Sequence, residues 1–341
     1  MRRIMALALC AAMVMAAFTA CSKDKAKDTG ASGGKVKTGL AVITSAAKSK
    51  DATAEADGLA QVDSTAVAVL VDDKGVIVNC VIDVIQPKIN FSASGEITTD
   101  MAKEFVSKKE LGDAYNMKKN SGIGKEWFEQ AKALEDYIIG KTLEQVKGIA
   151  LNEEGVPTLA DLTSSVTVTI DDILAAVEKA VNSAQKLGAV SGNKLGLGLI
   201  SGPGHSAAAG EKDGLAQAYT FYGLITLDKD GKITSSIIDA SQGNVNFSKE
   251  GKITSDLAAE IKTKNELGDS YGMKKASPIG KEWFEQAKAF SDYIVGKTVA
   301  DVKAIALNEE GAPTAADLTS SVTVGIGEFL TVIDKAGATA R

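Results

Sequence analysis

Val62-Asp63-Ser64-Thr65-Ala66-Val67-Ala68-Val69-Leu70-Val71, the tetrapeptide Asp72-Asp73-Lys74-Gly75 and Val76-Ile77-Val78-Asn79-Cys80-Val81-Ile82-Asp83-Val84-Ile85 decide the fold. Both runs alternate with β-branched residues, and the acidic, Gly-ended segment between them is turn chemistry, so the pattern predicts a β-hairpin. Upstream, the short apolar run 40–44 predicts an opening strand. Downstream the period changes. Trp127, Ala131, Leu134 and Ile138 fall on one helical face, with Gly140 as a stop, and residues 171–186 form a second helix with Ile173, Leu174, Val177 and Val181 on its apolar side. Strands first and helices after argue for an α+β fold, an antiparallel hairpin or sheet packed with several helices.

The pattern occurs twice. Residues 124–168 and 280–324 align without a gap at an offset of 156, with 36 of 45 positions identical. The offset holds back to Asp57-Gly58-Leu59-Ala60-Gln61 against Asp213-Gly214-Leu215-Ala216-Gln217, and Asp228-Lys229-Asp230-Gly231 repeats the hairpin turn. A one-residue slip then matches Thr38-Gly39-Leu40 to Leu195-Gly196-Leu197. A period this long is a domain duplication rather than a solenoid. The chain is therefore expected to hold two tandem homologous domains, 38–190 and 191–341, meeting where Gly, Ser and Asn cluster near 188–194.

Composition narrows the function. The 341 residues are 45% hydrophobic and 24% charged, an ordinary globular balance. With 38 Lys+Arg against 44 Asp+Glu the net charge is −6, and no basic block is present, which argues against nucleic-acid binding. One histidine and three cysteines argue against zinc and haem sites.

The first residues read as an address. Arg2 and Arg3 precede an apolar stretch at 4–17, too short to span a bilayer comfortably, and Phe18-Thr19-Ala20-Cys21 resembles a bacterial lipobox. Residues 1–20 are then a lipoprotein signal peptide, Cys21 is the lipidated residue, and 21–37 is a flexible charged and Gly/Ser-rich tether. The expected location is the extracellular face of the membrane, held by lipid. With Cys10 and Cys21 so assigned, only Cys80 remains and no intrachain disulfide can form.

A function shared by both copies must rest on residues present in both. His205 has no counterpart, and Ser236 replaces Cys80, so neither supports a nucleophilic site. Gly196-Leu197-Gly198 opens a strand rather than joining strand to helix, which excludes a dinucleotide fingerprint. Asp161-Leu162-Thr163-Ser164-Ser165-Val166-Thr167 does pass, repeated letter for letter at 317–323. Asp, Ser and Thr are also favoured where a helix begins, and composition does not separate that role from a functional motif.

This run resembles the acceptor motif of covalently flavinylated proteins, Asp-x-x-Ser-Gly-Ala-Thr, on which an FMN transferase attaches FMN to the final threonine by a phosphoester bond. Position by position, Asp161 and Asp317 match the Asp, Ser164 and Ser320 the Ser, and Thr167 and Thr323 the acceptor. Ser165 and Ser321 replace Gly, and Val166 and Val322 replace Ala, a bulkier group beside the hydroxyl the transferase must reach. Together with the lipobox, tether and blocks such as Glu110-Leu111-Gly112-Asp113-Ala114-Tyr115 and Gly124-Lys125-Glu126-Trp127-Phe128, the chain resembles PplA-type flavinylated lipoproteins of extracellular electron transfer.

The resemblance implies up to two covalent FMN groups per chain and an electron carrier with no catalytic activity of its own. Its partners would be an FMN transferase, a membrane quinone-linked donor, soluble flavins or extracellular acceptors, and the lipid bilayer. A phosphate on Thr167 would lie near the start of the helix at 171–186, where Asp171 and Asp172 oppose it. Aromatic residues present in both copies are candidates to pack on the ring: Tyr115 and Tyr271 foremost, with Trp127/Trp283, Phe91/Phe247 and Tyr137/Tyr293. Asn152-Glu153-Glu154-Gly155 reads as a solvated acidic turn. The rival class is a flavin-free binding or adhesion lipoprotein, in which the Ser/Thr run is structural only.

Overall fold

Alternation along the apolar runs produces strands that are buried on both faces. The computed structural model describes residues 33–341, so the expected signal peptide at 1–20 and Cys21, the expected lipidation site, lie outside the described residues. The first half carries β1 (Lys37–Ser45), β2 (Gly58–Gln61), β3 (Asp63–Val71), β4 (Ile77–Ile85) and β5 (Lys88–Phe91). These lead into α1 (Lys108–Leu111), a 3₁₀ turn at Gly112–Tyr115, α2 (Trp127–Ile138), α3 (Leu143–Lys147), α4 (Ala160–Thr163) and α5 (Asp171–Ser183). The second half repeats the order with β6 (Lys194–Gly202), β7 (Gly214–Leu227) and β8 (Ile233–Phe247). Its helical part comprises α6 (Lys264–Leu267), a 3₁₀ turn at Gly268–Tyr271, α7 (Trp283–Tyr293), α8 (Val299–Lys303), α9 (Ala316–Thr319) and α10 (Gly327–Thr339).

All strand pairing is antiparallel, in the orders β1-β3-β4 and β6-β7-β8, with β2 on β5 as a separate ribbon. The mixed, antiparallel α+β class is thus as expected. β7 and β8 are continuous where the first half is broken. Pro87, which has no N–H to give a ladder, sits between β4 and β5, and its counterpart in β8 is Gly243.

The period-2 rule divides each strand between two cores. Along β3, Ala66, Ala68 and Leu70 face a core shared with Leu197, Leu199, Tyr222 and Leu224 of the second half. Val67, Val69 and Val71 instead pack with Trp127, Leu134, Ile173 and Val177 of the helices. Phe221 and Ile225 meet Trp283, Phe290, Phe329 and Val332 in the same way. The layers run helices, sheet, sheet, helices, and Gly33–Arg341 is one compact unit. Helix α10 lies directly on β6. A Cβ on Gly196 would stand 1.9 Å from the Ala336 carbonyl oxygen, so only glycine permits that approach.

Contacts between the halves are reciprocal. The Ala52 N–H donates to Gly251 O and the Ala209 N–H to Gly95 O, both at 2.8 Å. Phe91 and Phe247, equivalent residues, stack with centroids 4.2 Å apart and planes 9° from parallel. Such exchange is what a two-fold interface between like surfaces gives. The fold also takes in the end of the segment assigned to the tether. Val36 is buried and its N–H donates to Ala189 O; a lone valine between lysines leaves no trace in composition, which is why composition assigns it to the tether.

Two aspartates fix the helical layer to the strands. Asp83 Oδ2 accepts from the Ser107 hydroxyl (2.6 Å), and its Oδ1 accepts from the N–H groups of Val84 and Lys109. Asp239 accepts from the N–H groups of Ala240 and Asn265. Burial pushes these carboxyls up, Asp83 to about 6 and Asp239 to about 7. The folded protein therefore holds protons that the unfolded chain releases near the ordinary carboxyl value of 3.8. Their contribution is fully present below pH 4 and is lost as pH rises through 6 to 7. Replacing both by Asn should flatten that fall, read as urea midpoints between pH 4 and pH 8; an unchanged slope would show that other groups set it.

Among the described residues, no helix is long and apolar enough to cross a membrane.

Candidate functional site

Leu162 lies in α4 and Val166 follows it, its N–H donating to Leu162 O at 2.8 Å, so the two fall on one face, and both are buried. They pin the run 161–167 to the helical core and turn its polar residues outward. Asp161, Thr163 and Ser164 are exposed, and Ser165 and Thr167 half-buried. The second half repeats this, with Leu318 and Val322 buried, Asp317 and Ser320 exposed, and Thr323 half-buried. The valines do not crowd the acceptor hydroxyl as expected. Their bulk points inward, filling core.

Each threonine is held by a buried amide. Gln130, on α2, is 0% exposed, and its Oε1 accepts from the Thr167 N–H at 2.8 Å and from its hydroxyl at 3.3 Å. Its Nε2 donates to Ser121 Oγ and to the Lys125 carbonyl. Gln286, also 0% exposed, makes the same bonds to Thr323, Ser277 and Lys281 at near-identical distances. One helical turn earlier, Glu126 caps α2 in a capping box with Glu129, and its carboxylate gathers the Met117 and Lys118 N–H groups, both at 2.9 Å. Glu282 does the same for Met273 and Lys274. The helix that carries the amide thus also fixes the loop beside it.

The hydroxyls of the run do not begin the following helix. The N-cap of α5 is Ile170, with no side-chain cap, and that of α10 is Ile326. Thr167 gives its N–H to Gln130, three residues before that cap, so the geometry does not place its hydroxyl at the helix start. Ser165 and Thr163 hydroxyls close local turns onto Leu162 O and Ala160 O. The acidic turn 152–155 is exposed at Asn152, Glu153 and Glu154, and Glu154 O accepts from the Thr169 hydroxyl.

The aromatic candidates separate. Phe91 and Phe247 are fully buried against each other, and Trp127 and Trp283 are buried in the helical cores, so these four are packing residues. Tyr115 and Tyr271 make no hydrogen bond to the acceptor runs. The Tyr115 hydroxyl donates to Gln86, and its ring lies 4.8 Å from Lys108 Nζ; the Tyr271 ring lies 4.4 Å from Lys264 Nζ. The residue that does reach the run is Tyr293, whose hydroxyl is 3.4 Å from Asp317 Oδ1. Beside it is an open cleft of about 440 Å³ lined by Tyr293, Lys297, Asp301, Ile305 and Ala315. Lys297 Nζ lies 4.3 Å from the Tyr293 ring, so this tyrosine too has a lysine amine over it.

His205 is exposed in its loop, and Cys80 is buried in β4, where burial pushes its thiol up. Among the described residues, no group of three or more His, Cys, Asp or Glu side chains could hold a metal ion.

No family model matches the chain, and no solved structure matches it. A 41-residue stretch is 54% identical to part of a protein named chlorophenol reductase, from Desulfitobacterium hafniense. That match covers 12% of this chain and 12% of the length of that protein.

Proposed function

We propose that the chain is a lipid-anchored, extracellular electron carrier built from two homologous repeats, 38–190 and 191–341, bearing FMN on Thr167 and Thr323. The carrying observation is the duplicated threonine held half-exposed on a fully buried glutamine, Gln130 or Gln286, just after a pair of buried apolar pins. The amide oxygen accepts the hydroxyl hydrogen and fixes where Oγ1 stands, so an incoming transferase meets an ordered acceptor. Asp161, Ser164, Asp317 and Ser320 are exposed on the same runs, where a transferase can read them.

Bound flavin would supply reversible electron transfer, and the protein would hold it, tune it and leave one edge open. The cleft beside Tyr293 offers room for the ring close to the Asp317 run, and Tyr137 is the sequence counterpart of Tyr293 in the first repeat. Donors and acceptors follow from this reading: quinone-linked reductant at the membrane, soluble flavins or external acceptors outside. The protein itself would be a carrier rather than an enzyme.

The test is the intact mass after co-expression with an FMN transferase of proven activity. Two FMN-phosphoryl increments are expected, one lost in Thr167→Ala and the other in Thr323→Ala. Gln130→Leu should lower occupancy at Thr167 alone, since it removes the acceptor for that hydroxyl and leaves Thr323 untouched. An unmodified mass would overturn the reading in favour of a flavin-free binding protein.

A further inference from the structure

Equivalent places in the two halves can be compared position by position, and one pair differs in kind. In the first half the Glu135 carboxylate is fully buried and accepts from the Ile82 N–H at 2.6 Å, from Lys109 Nζ at 2.5 Å and from the Arg341 guanidinium. Offset by 156, the second half has Ser291 for Glu135, Asn265 for Lys109, Ser236 for Cys80 and Ile238 for Ile82. Gln185 stands for Arg341, and the backbone confirms that match. Arg341 exchanges N–H and C=O with Leu195, and Gln185 does so with Thr38.

Gln185, Ser236, Ile238, Asn265 and Ser291 line one cavity of about 260 Å³, with Phe284 as an apolar wall. Ser236 Oγ and Ser291 Oγ are also the two buried side-chain oxygens without a hydrogen-bond partner among the described residues. Their residues are 6% and 4% exposed. Buried hydroxyls left unpaired cost stability, and two at one cavity call for a partner that the chain does not supply.

We propose that this cavity binds a small carboxylate, whose anionic head takes the place that the Glu135 carboxylate fills in the first half. The N–H of Ile238 is the counterpart of the one Glu135 accepts, and the two serine hydroxyls and the Gln185 amide add donors. Asn265 Nδ2 already donates to Ile238 O at 2.9 Å and so is not counted. At the rim Lys288 is paired with Asp292 at 2.6 Å, so the head is recognised by neutral donors rather than by a free cation. Phe284 favours an aromatic or otherwise apolar body behind the head. The site is independent of flavin attachment, since Gln286 rather than these residues holds Thr323.

The probe is benzoate, with benzamide as its neutral isostere, titrated into the whole chain while amide resonances are followed. Benzoate should shift the Ile238 amide saturably and bind about tenfold or more tightly than benzamide. Ser291→Glu, which installs the first half's own carboxylate, should abolish that binding. If Ser291→Glu fails to fold, Ser291→Ala and Ser236→Ala decide the matter, each expected to weaken benzoate by about threefold or more. Equal binding of benzoate and benzamide, no response to benzoate, or unchanged binding in the serine variants would each overturn the proposal.

Discussion

Replacing Phe91 by Ala should destabilise the whole of 33–341 by about 3–5 kcal/mol, the usual cost of emptying a packed aromatic site. The site has little room to relax. Phe91 and Phe247 are fully buried and stacked at 4.2 Å, and a Cβ on Gly58 would stand 2.3 Å from the Phe91 ring. Backbone thus presses on the ring from one side and its equivalent from the other. Urea unfolding should show a lower midpoint, an unchanged slope and a single transition, because the shared core makes the halves one cooperative body. Phe247→Ala should behave alike. The double variant should cost less than the sum, since both changes delete the same contact. Two resolved transitions in the unaltered protein would show instead that the halves unfold separately.

The hairpin, the opening strand and the faces of α2 and α5 were legible because each rests on local periodicity. What covers the other face of each sheet was not. Ala66, Ala68 and Leu70 look like any strand residues, and no pattern says that their partner is the other half of the same chain. At the acceptor run, exact repetition marked Asp161–Thr167 for attention. The same repetition hid Gln130 and Glu126, because nearly all their neighbours are duplicated too. Val166 could have been read correctly, as its spacing from Leu162 already implies a buried face. Tyr115 is half-buried, although its Gly- and Asp-rich stretch suggests an open ring. The 3₁₀ turn instead places that ring beside Lys108, whose amine is lowered to about 8 by burial. Such a tertiary neighbour leaves no local signal.

Glu135→Ser should be the most costly polar change, about 3–5 kcal/mol, because it strips the acceptor from a buried network. The carboxylate is fully buried, Lys109 is 13% exposed, and the Ile82 N–H has its bond to Glu135. Truncation leaves a cation and a backbone donor facing a hole. Arg341→Gln alone should matter far less, since that side chain is 40% exposed and Glu135 keeps Lys109 and Ile82. The second half shows how the same space is built without charge: Ser291, Asn265 and Gln185 occupy the equivalent positions. Glu135→Ser combined with Lys109→Asn and Arg341→Gln should therefore regain much of the loss, although it removes more groups. Removing an ion network whole spares the unpaired charge that removing one member creates. The comparison is made by urea midpoints of the single and triple variants at one pH. A triple variant no more stable than Glu135→Ser would mean that packing around the glutamate stem, rather than the stranded charge, sets the cost.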